Sequence, residues 1–453
     1  MNDRILKSVH ITNYYHRNSG GISTSFNNLM SAAERLGRHV TVIVPGEERI
    51  DEQVNEFATL RWIPAKKSPI FDKRYRLIMP WQYMPSESEI REVLLEESPD
   101  MIEVTDKYTL SMIGPMIRIG KFKQIGRPML VHFSAERMDD NIGAFLSKGN
   151  SGESLARAVM ANYLLPGFDF HIANSSYTAE EFRKALGWID SPFKRRLMNK
   201  TWRFFAAPRT KPLERIRICP RGVDAEVFGT HRRDITKRQE LLRSIGGNDD
   251  SVILLYAGRL SPEKNIDLLS ETIALLAKES TDYRIIVAGA GPLEDSFRAS
   301  ANAAMPGKVT MLGHVDKSRL AELYANVDVF VHPNPREPFG IGPLEAMASG
   351  VATVAPRSGG ILSYANDDNA WLTSPDAESF AATIRKVIAD PHERKRRATN
   401  AVATAKENSR EGSTDNLFAT YDSMYEDFRN RNELYCDREK ASRFDYTDIL
   451  DID

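Results

Sequence analysis

Short apolar runs rich in valine and isoleucine alternate along the chain with longer stretches in which apolar positions recur at helical spacing. The runs predict strands at 8–11, 39–44, 101–104, 128–133 and 170–173 in the first half, and at 252–257, 283–288, 309–312, 327–331 and 352–355 in the second. Strands apolar on both faces belong inside a covered sheet, and their alternation with helices makes that sheet parallel. The pattern therefore predicts two doubly wound α/β domains, 1–218 and 219–405, followed by a third segment, 406–453. In that segment Phe418, Tyr421, Met424, Tyr425 and Phe428 recur at three- and four-residue intervals, the stripe of a helix packed on a domain. The highly charged stretch from Asp437 to Asp453 reads as a loosely ordered tail.

Composition narrows the function classes. The 453 residues carry 61 Lys and Arg against 62 Asp and Glu, a net charge of -1, which argues against a chain built to coat nucleic acid. Cys219 and Cys436 stand far apart in neither a metal nor a redox spacing, so a reducing cytoplasm is expected. The charged start Met1 to Lys7 has no apolar core of a signal peptide, and no later run approaches the ~20 apolar residues of a membrane helix. A cytoplasmic protein is expected, at most peripheral on the inner face of the plasma membrane. One stretch breaks the even charge. Between Ser191 and Arg217 nine Lys or Arg face a single acidic residue, Glu214, among Phe193, Trp202, Phe204 and Phe205. Pro192, Pro208 and Pro212 prevent one long helix. The stretch reads either as a solvated linker or insertion, or as a surface for an anionic lipid or a polyanionic acceptor.

The loops that follow the second-half strands carry the candidate chemistry. After the strand ending at Val331 comes His332-Pro333-Asn334-Pro335-Arg336-Glu337-Pro338-Phe339-Gly340-Ile341-Gly342-Pro343-Leu344-Glu345, at the sheet edge where open α/β domains bind ligands. Pro343 belongs in the first turn of a helix, so the helix starts near Gly340 and aims free N–H groups at a bound anion. Glu337 and Glu345 can only accept hydrogen bonds when ionised, which suits a ligand rich in hydroxyls. Upstream, Gly258-Arg259-Leu260-Ser261-Pro262-Glu263-Lys264 places two cations in one short loop, a fork and a point charge able to hold a diphosphate. Gly289-Ala290-Gly291-Pro292-Leu293-Glu294 is a broken dinucleotide fingerprint, with Glu294 where the last glycine belongs. Near the N-terminus, Gly20-Gly21 between a strand and a helix can present amides to an anion or simply turn the chain.

Together these segments resemble the retaining, nucleotide-sugar-dependent glycosyltransferases of family 4, which have the GT-B fold: two Rossmann-like doubly wound parallel-sheet domains facing a central cleft. Glu337 to Glu345 matches the family's E-x7-E motif, joined in order by Arg221-Gly222-Val223-Asp224…Phe228, Gly258-Arg259…Lys264 and Gly289-Ala290-Gly291-Pro292. The resemblance implies that Arg259 and Lys264 hold the donor diphosphate, that Glu345 binds the ribose, and that Glu337 with the amides of Phe339, Gly340 and Ile341 holds the transferred sugar. It further implies that Gly20 and Gly21 close on the phosphates, that the segment around His314 meets the base, and that His132 lies beside the reacting carbon. Gly258, Gly289 and Gly291 belong to the same donor site. The sequence departs from the family within Gly350-Val351-Ala352-Thr353, which lacks the common proline, at Ser363, where glutamate is frequent, and at Arg221, where asparagine is usual.

The expected reaction is sugar transfer from a UDP- or GDP-linked donor, a co-substrate rather than a cofactor, to a glycan or lipid acceptor. No covalent nucleophile is evident, so attack from the face of departure is expected, with the leaving phosphate taking the acceptor proton. No metal is expected, since the cations would neutralise the diphosphate and the only Asp-x-Asp triplet is the terminal Asp451-Ile452-Asp453. A nucleotide-sugar epimerase and a non-catalytic sugar-nucleotide or glycan-binding protein are the rival readings. The E-x7-E frame disfavours the first and the intact cations the second. The broken glycine fingerprint counts against a dehydrogenase.

Overall fold

A computed structural model of the chain describes residues 6–16, 21–68, 76–145 and 150–450. The chain divides into two compact units: Met1–Cys219 together with Thr414–Asp453, and Pro220–Ser413.

The first unit contains β1 (Ser8–Ile11), β2 (Val40–Gly46), β3 (Ile50–Asn55), β4 (Ala58–Pro64), the short pair β5 (Lys66–Lys67) and β6 (Arg76–Leu77), then β7 (Met101–Val104), β8 (Met129–Ser134), β9 (Phe170–Ala173) and β10 (Ile216–Ile218). All but the short pair form one sheet in the order β10-β9-β8-β7-β1-β2-β4-β3. It is parallel except at its edge, where β3 runs antiparallel to β4. Every residue of β1, β2, β7, β8 and β9 is buried, because helices cover both faces. β3 has no apolar run because most of its residues face solvent, and this is why the hydrophobic pattern does not announce it.

The second unit holds β11 (Val252–Ala257), β12 (Tyr283–Ala288), β13 (Val309–Gly313), β14 (Val329–Val331), β15 (Ala352–Pro356) and β16 (Trp371–Thr373), all parallel, in the order β13-β12-β11-β14-β15-β16. This is the Rossmann order 3-2-1-4-5-6, whose direction of winding reverses between its first and fourth strands, here β11 and β14. β14 is shorter than its apolar run. Asp328 interrupts that run, its carboxylate accepting from Ile253 N at 2.9 Å and from Arg238 at 2.8 Å.

The chain returns to the first unit within the helix Arg410–Asn430, which buries Phe418, Tyr421, Met424 and Phe428 against that unit's core. Tyr421 donates at 2.6 Å to Glu103 Oε2, and the other oxygen of this buried carboxylate lies 3.0 Å from His10 Nδ1. The returning helix is thus tied to β1 and β7 by a hydrogen-bonded polar group inside an apolar core, where an unmatched partner would be costly.

Two expectations need correction. The stretch 191–217 is not a linker: Pro192–Phe204 is a helix that buries Met198 and Trp202, and Ile216–Ile218 is the edge strand β10. The segment after Asp437 is not loose as far as residue 450. A helix, Arg438–Arg443, and a turn of 3-10 helix, Tyr446–Ile449, bring Tyr446 into full burial. Its hydroxyl donates to Ala207 O at 2.7 Å and its ring meets Trp202 at 5.4 Å, while Asn199 donates to Asp445 at 2.8 Å. Charge dominates the composition there, but Phe444, Tyr446, Ile449 and Leu450 supply the apolar contacts. Asp451-Ile452-Asp453 lies outside the described residues.

Tyr446→Ala should therefore destabilise the first unit by about 3–5 kcal/mol, the usual cost of emptying a buried aromatic site. Urea unfolding followed by tryptophan fluorescence checks this, and an unchanged midpoint would restore the loose-tail reading.

Candidate active site

Reversal of the sheet order brings two loops of the second unit together at the carboxyl ends of adjacent strands. β11 and β14 pair through Leu254 with Val329 and Leu255 with Phe330, so the chain leaving β11 at Gly258 and the chain leaving β14 at His332 emerge side by side. The first loop passes through Arg259 to a short 3-10 turn, Pro262–Lys264, and Asn265 then takes a left-handed conformation before the helix Ile266–Leu276. Asn265 Nδ2 donates to Pro333 O at 3.2 Å, stitching this loop to the second. Arg259 is half-buried, and its carbonyl accepts from Tyr256 OH at 2.9 Å.

Lys264 Nζ reaches Glu337 Oε2 at 2.8 Å, so the cation of one loop and the carboxylate of the other form an ion pair. The same oxygen accepts from Asn334 Nδ2 at 2.8 Å, and His332 Nε2 stands 3.7 Å away. Burial pushes the Glu337 carboxyl up, but Lys264, His332 and the hydrogen bonds from Lys264 and Asn334 pull it down to about 2. It is a fixed anion at physiological pH. His332 is held to about 4 by burial, opposed by Glu337, and is therefore a neutral imidazole.

Gly340 caps the helix Ile341–Ala348 with φ 91°, a region that side chains avoid. A Cβ there would lie 2.6 Å from Ile361 and 2.7 Å from the Tyr364 hydroxyl, which donates to Gly340 O. Phe339 is buried against Tyr364, their rings 5.2 Å apart. The free amides of this helix start thus sit on a packed platform, next to Glu337 in the chain. Glu345 lies one turn further on, half-buried, with its carboxyl raised to about 8 by burial, which nearby Lys317 opposes and Asp224 reinforces. His314, just after β13, is exposed.

Gly289 and Gly291 turn out to serve backbone packing. A Cβ at Gly289 would fall 1.8 Å from Gly258 O, and one at Gly291 2.2 Å from Leu260 O. The loops after β11 and β12 therefore run in direct backbone contact, joined by Gly258 N to Ala288 O at 3.0 Å and Leu260 N to Ala290 O at 3.1 Å. Such contact sets the path of the Arg259 loop.

In the first unit the predicted residues fare differently. Gly21 begins the helix Gly21–Leu36 and is exposed, while Gly20 lies outside the described residues. His132 needs correction: its ring has no exposed surface and is packed among Phe168, His171 and Phe182, with centroids 5.4, 5.7 and 6.2 Å away. Burial, with His171 and Lys107 nearby, drives its pKa well down. A ring turned into the core does not touch a substrate. Strand periodicity puts residue 132 on the face of β8 that it shares with Leu130, one of two faces that are both covered.

Sequence reasoning also missed several residues. Asn334 was legible as the start of an Asx turn, since its Oδ1 accepts from Arg336 N at 3.0 Å, but its bond to Glu337 was not. At the carboxyl edge of the first unit's sheet, Tyr14 OH donates to Glu136 at 2.9 Å, and Asn141 donates to Glu136 at 2.9 Å and to Tyr108 OH at 3.2 Å. This half-open group offers a carboxylate, two phenols and an amide to a hydroxylated ligand. No sequence motif marks it, because its members come from the segments that follow β1, β7 and β8, with Asn141 in the helix Met138–Phe145.

Comparison with known proteins agrees with this architecture. Residues 237–404 match the glycosyl transferases group 1 family and residues 20–194 the glycosyl transferase 4-like domain. A GDP-mannose-dependent alpha-(1-6)-phosphatidylinositol dimannoside mannosyltransferase of Mycobacterium tuberculosis is 27% identical over 86% of this chain and 90% of its own. An alpha-monoglucosyldiacylglycerol synthase of Streptococcus pneumoniae is 24% identical over 76% of this chain and 69% of its own. The crystal structure of Anabaena HepE in complex with UDP and glucose superposes with a TM-score of 0.65 at 17% identity, covering 92% of this chain and 100% of that one. The chain belongs to the group 1 glycosyltransferases and is a nucleotide-sugar glycosyltransferase of the GT-B fold.

Proposed function

We propose that the protein transfers a sugar from a UDP- or GDP-linked donor to a hydroxyl of a glycan or lipid-linked acceptor, with retention at the anomeric carbon and without a metal ion. The observation that carries this reading is the meeting of the Lys264 ammonium with Glu337 at 2.8 Å, where the loops after β11 and β14 emerge together. One loop carries cations suited to a diphosphate and the other a permanently ionised carboxylate suited to sugar hydroxyls, so the two ends of a nucleotide sugar find complementary groups.

Breaking the glycosyl–phosphate bond leaves negative charge on the diphosphate. Arg259, Lys264 and the amides at Phe339, Gly340 and Ile341 would stabilise that charge as it develops, which is electrostatic catalysis. Lys264 would then be shared between phosphate and Glu337, leaving the carboxylate free to accept from the sugar. Glu345 would accept from the ribose, and the segment at His314 would meet the base. The donor phosphate would take the acceptor proton as the hydroxyl attacks from the face of departure, so no protein nucleophile is required.

The names of the two relatives point the acceptor reading towards lipids that already carry a sugar or inositol, and GDP-mannose is the first donor to try. Peripheral contact at the inner face of the plasma membrane through 191–217 belongs to this reading, since such an acceptor resides in a bilayer. The proposed division of labour is an acceptor-side domain over 1–218, a donor domain over 219–405 and a returning C-terminal segment over 406–453.

Lys264→Ala and Arg259→Ala should each lower turnover roughly 10²–10³-fold, as loss of one oxyanion donor does. Donor hydrolysis over UDP- and GDP-sugars measures it, and near-normal turnover would remove the cations from the mechanism. Activity should survive EDTA and the product should keep the donor's anomeric configuration by NMR; inversion, or loss with chelator, would refute the scheme.

The Glu345 carboxyl, protonated below about 8, sets a pH dependence. Its folded pKa lies above the unfolded value, so its contribution to stability is full at acid pH and falls as pH rises through about 8. Donor binding has the opposite slope, because ribose hydroxyls donate to the ionised form. Donor affinity should be about tenfold tighter at about pH 9 than at about pH 7, and Glu345→Gln should flatten the profile. A wild-type profile already flat over that range would take Glu345 out of the ribose site.

A further inference from the structure

The helix Pro192–Phe204 turns one face into the first unit and leaves the other bare. Met198 and Trp202 are buried, Trp202 donating its indole N–H to Ala161 O at 2.8 Å, and Arg203 holds Phe444 O at 2.7 Å. On the opposite side Phe193 is 75% exposed, Leu197 38% and Phe204 67%. At 100° per residue these three and Lys200 fall within an arc of about 60°, with Arg196 at its margin. The arc centres roughly opposite Trp202. Two phenylalanines and a leucine on one solvent-facing ridge form an apolar stripe; Phe204 meets Phe205 edge-on with centroids 5.1 Å apart, and the inner face already anchors the helix.

The charges beside the stripe select its occupant. Arg196 and Lys200 are exposed and make no ion pair with any described residue, in contrast with Lys194, which is bonded to Asp190 at 3.0 Å. No acidic residue lies within Pro192–Phe204. An apolar ridge edged by unneutralised cations complements an anionic bilayer: the rings enter the acyl boundary while the cations meet lipid phosphates. The helix is polar overall, and no helix among the described residues is long and apolar enough to cross a membrane. The contact available to it is therefore one lying in the interface.

We infer that the outer ridge of the helix Pro192–Phe204, made by Phe193, Leu197 and Phe204 with Arg196 and Lys200, is an insertion surface for anionic lipid bilayers. The inference deepens the peripheral-contact part of the proposed function, on which it rests, and it narrows 191–217 to one face of one helix. Phe205, Trp202 and the segment after Phe204 are excluded from the contact: Trp202 is buried and Phe205 stacks edge-on against Tyr163, with ring centroids 5.8 Å apart.

The test is cosedimentation of the full chain with vesicles, without donor. Wild-type protein should be retained by vesicles rich in phosphatidylglycerol at low salt and released from pure phosphatidylcholine. The double variant Phe193→Ser, Phe204→Ser should lose at least about tenfold in partitioning with unchanged melting temperature and donor hydrolysis, because both side chains are exposed. Arg196→Glu with Lys200→Glu should weaken binding and lower its salt dependence. Failure of the wild type to bind anionic vesicles overturns the peripheral contact itself, leaving the transferase reading intact. Retention of the double variant at the wild-type level overturns the ridge and moves the contact elsewhere. A dimer in vesicle-free light scattering that the double variant abolishes, without vesicle binding by the wild type, assigns the ridge to a second copy and overturns the lipid proposal.

Discussion

Parallel pairing of β11 with β14, strands separated by more than seventy residues of chain, is the constraint on which the site depends. Hydrogen bonding between them lets the chain leave the sheet twice at neighbouring points, once towards Arg259 and Lys264 and once towards Glu337. Helices on both faces cover this sheet and leave its carboxyl edge for ligands. Opposite charges are then 2.8 Å apart without any long-range adjustment, because each loop is short and each follows a buried strand.

Rigid backbone contacts keep this meeting in place. Gly289 and Gly291 press the loop after β12 against the Arg259 loop, and Gly360 N donates to Glu337 O at 2.7 Å from the far side. Glycines that a motif reader assigns to the ligand are here also the residues that let three loops stack. The electrostatic consequence is a divergence between the two glutamates: Glu337, in an ion pair with Lys264, is held to about 2, and Glu345, where burial outweighs the pull of Lys317, is raised to about 8. Two identical side chains eight residues apart thus differ in protonation.

The first unit illustrates where patterns carry and where they fail. β1, β2, β7, β8 and β9 were readable because strands buried on both faces must be apolar throughout, which few other segments are. His132 was placed on the right strand, but its ring is enclosed there, since both faces of β8 are covered and alternation between faces brings no side chain of this strand to the surface. The tail misled because charge was weighed over its whole length, whereas its packing is decided by Tyr446 and a few apolar neighbours that find Trp202. Glu136, Tyr14, Tyr108 and Asn141 carried no signature at all, being gathered only by the segments that follow β1, β7 and β8 in the folded chain.

By itself the sequence determined the fold class and the buried strands at the centre of each sheet, and it singled out the charged loops that carry Arg259, Lys264 and Glu337. These follow from burial, helix starts and charge, properties that act over a few residues and leave a local trace. Tertiary structure alone decided that Lys264 pairs with Glu337, that His132 faces the core, that the C-terminal segment is docked, and which face of the basic helix is bare. Each of those is a contact or an exposure created by residues distant in the chain, and distance in the chain is what local pattern does not record.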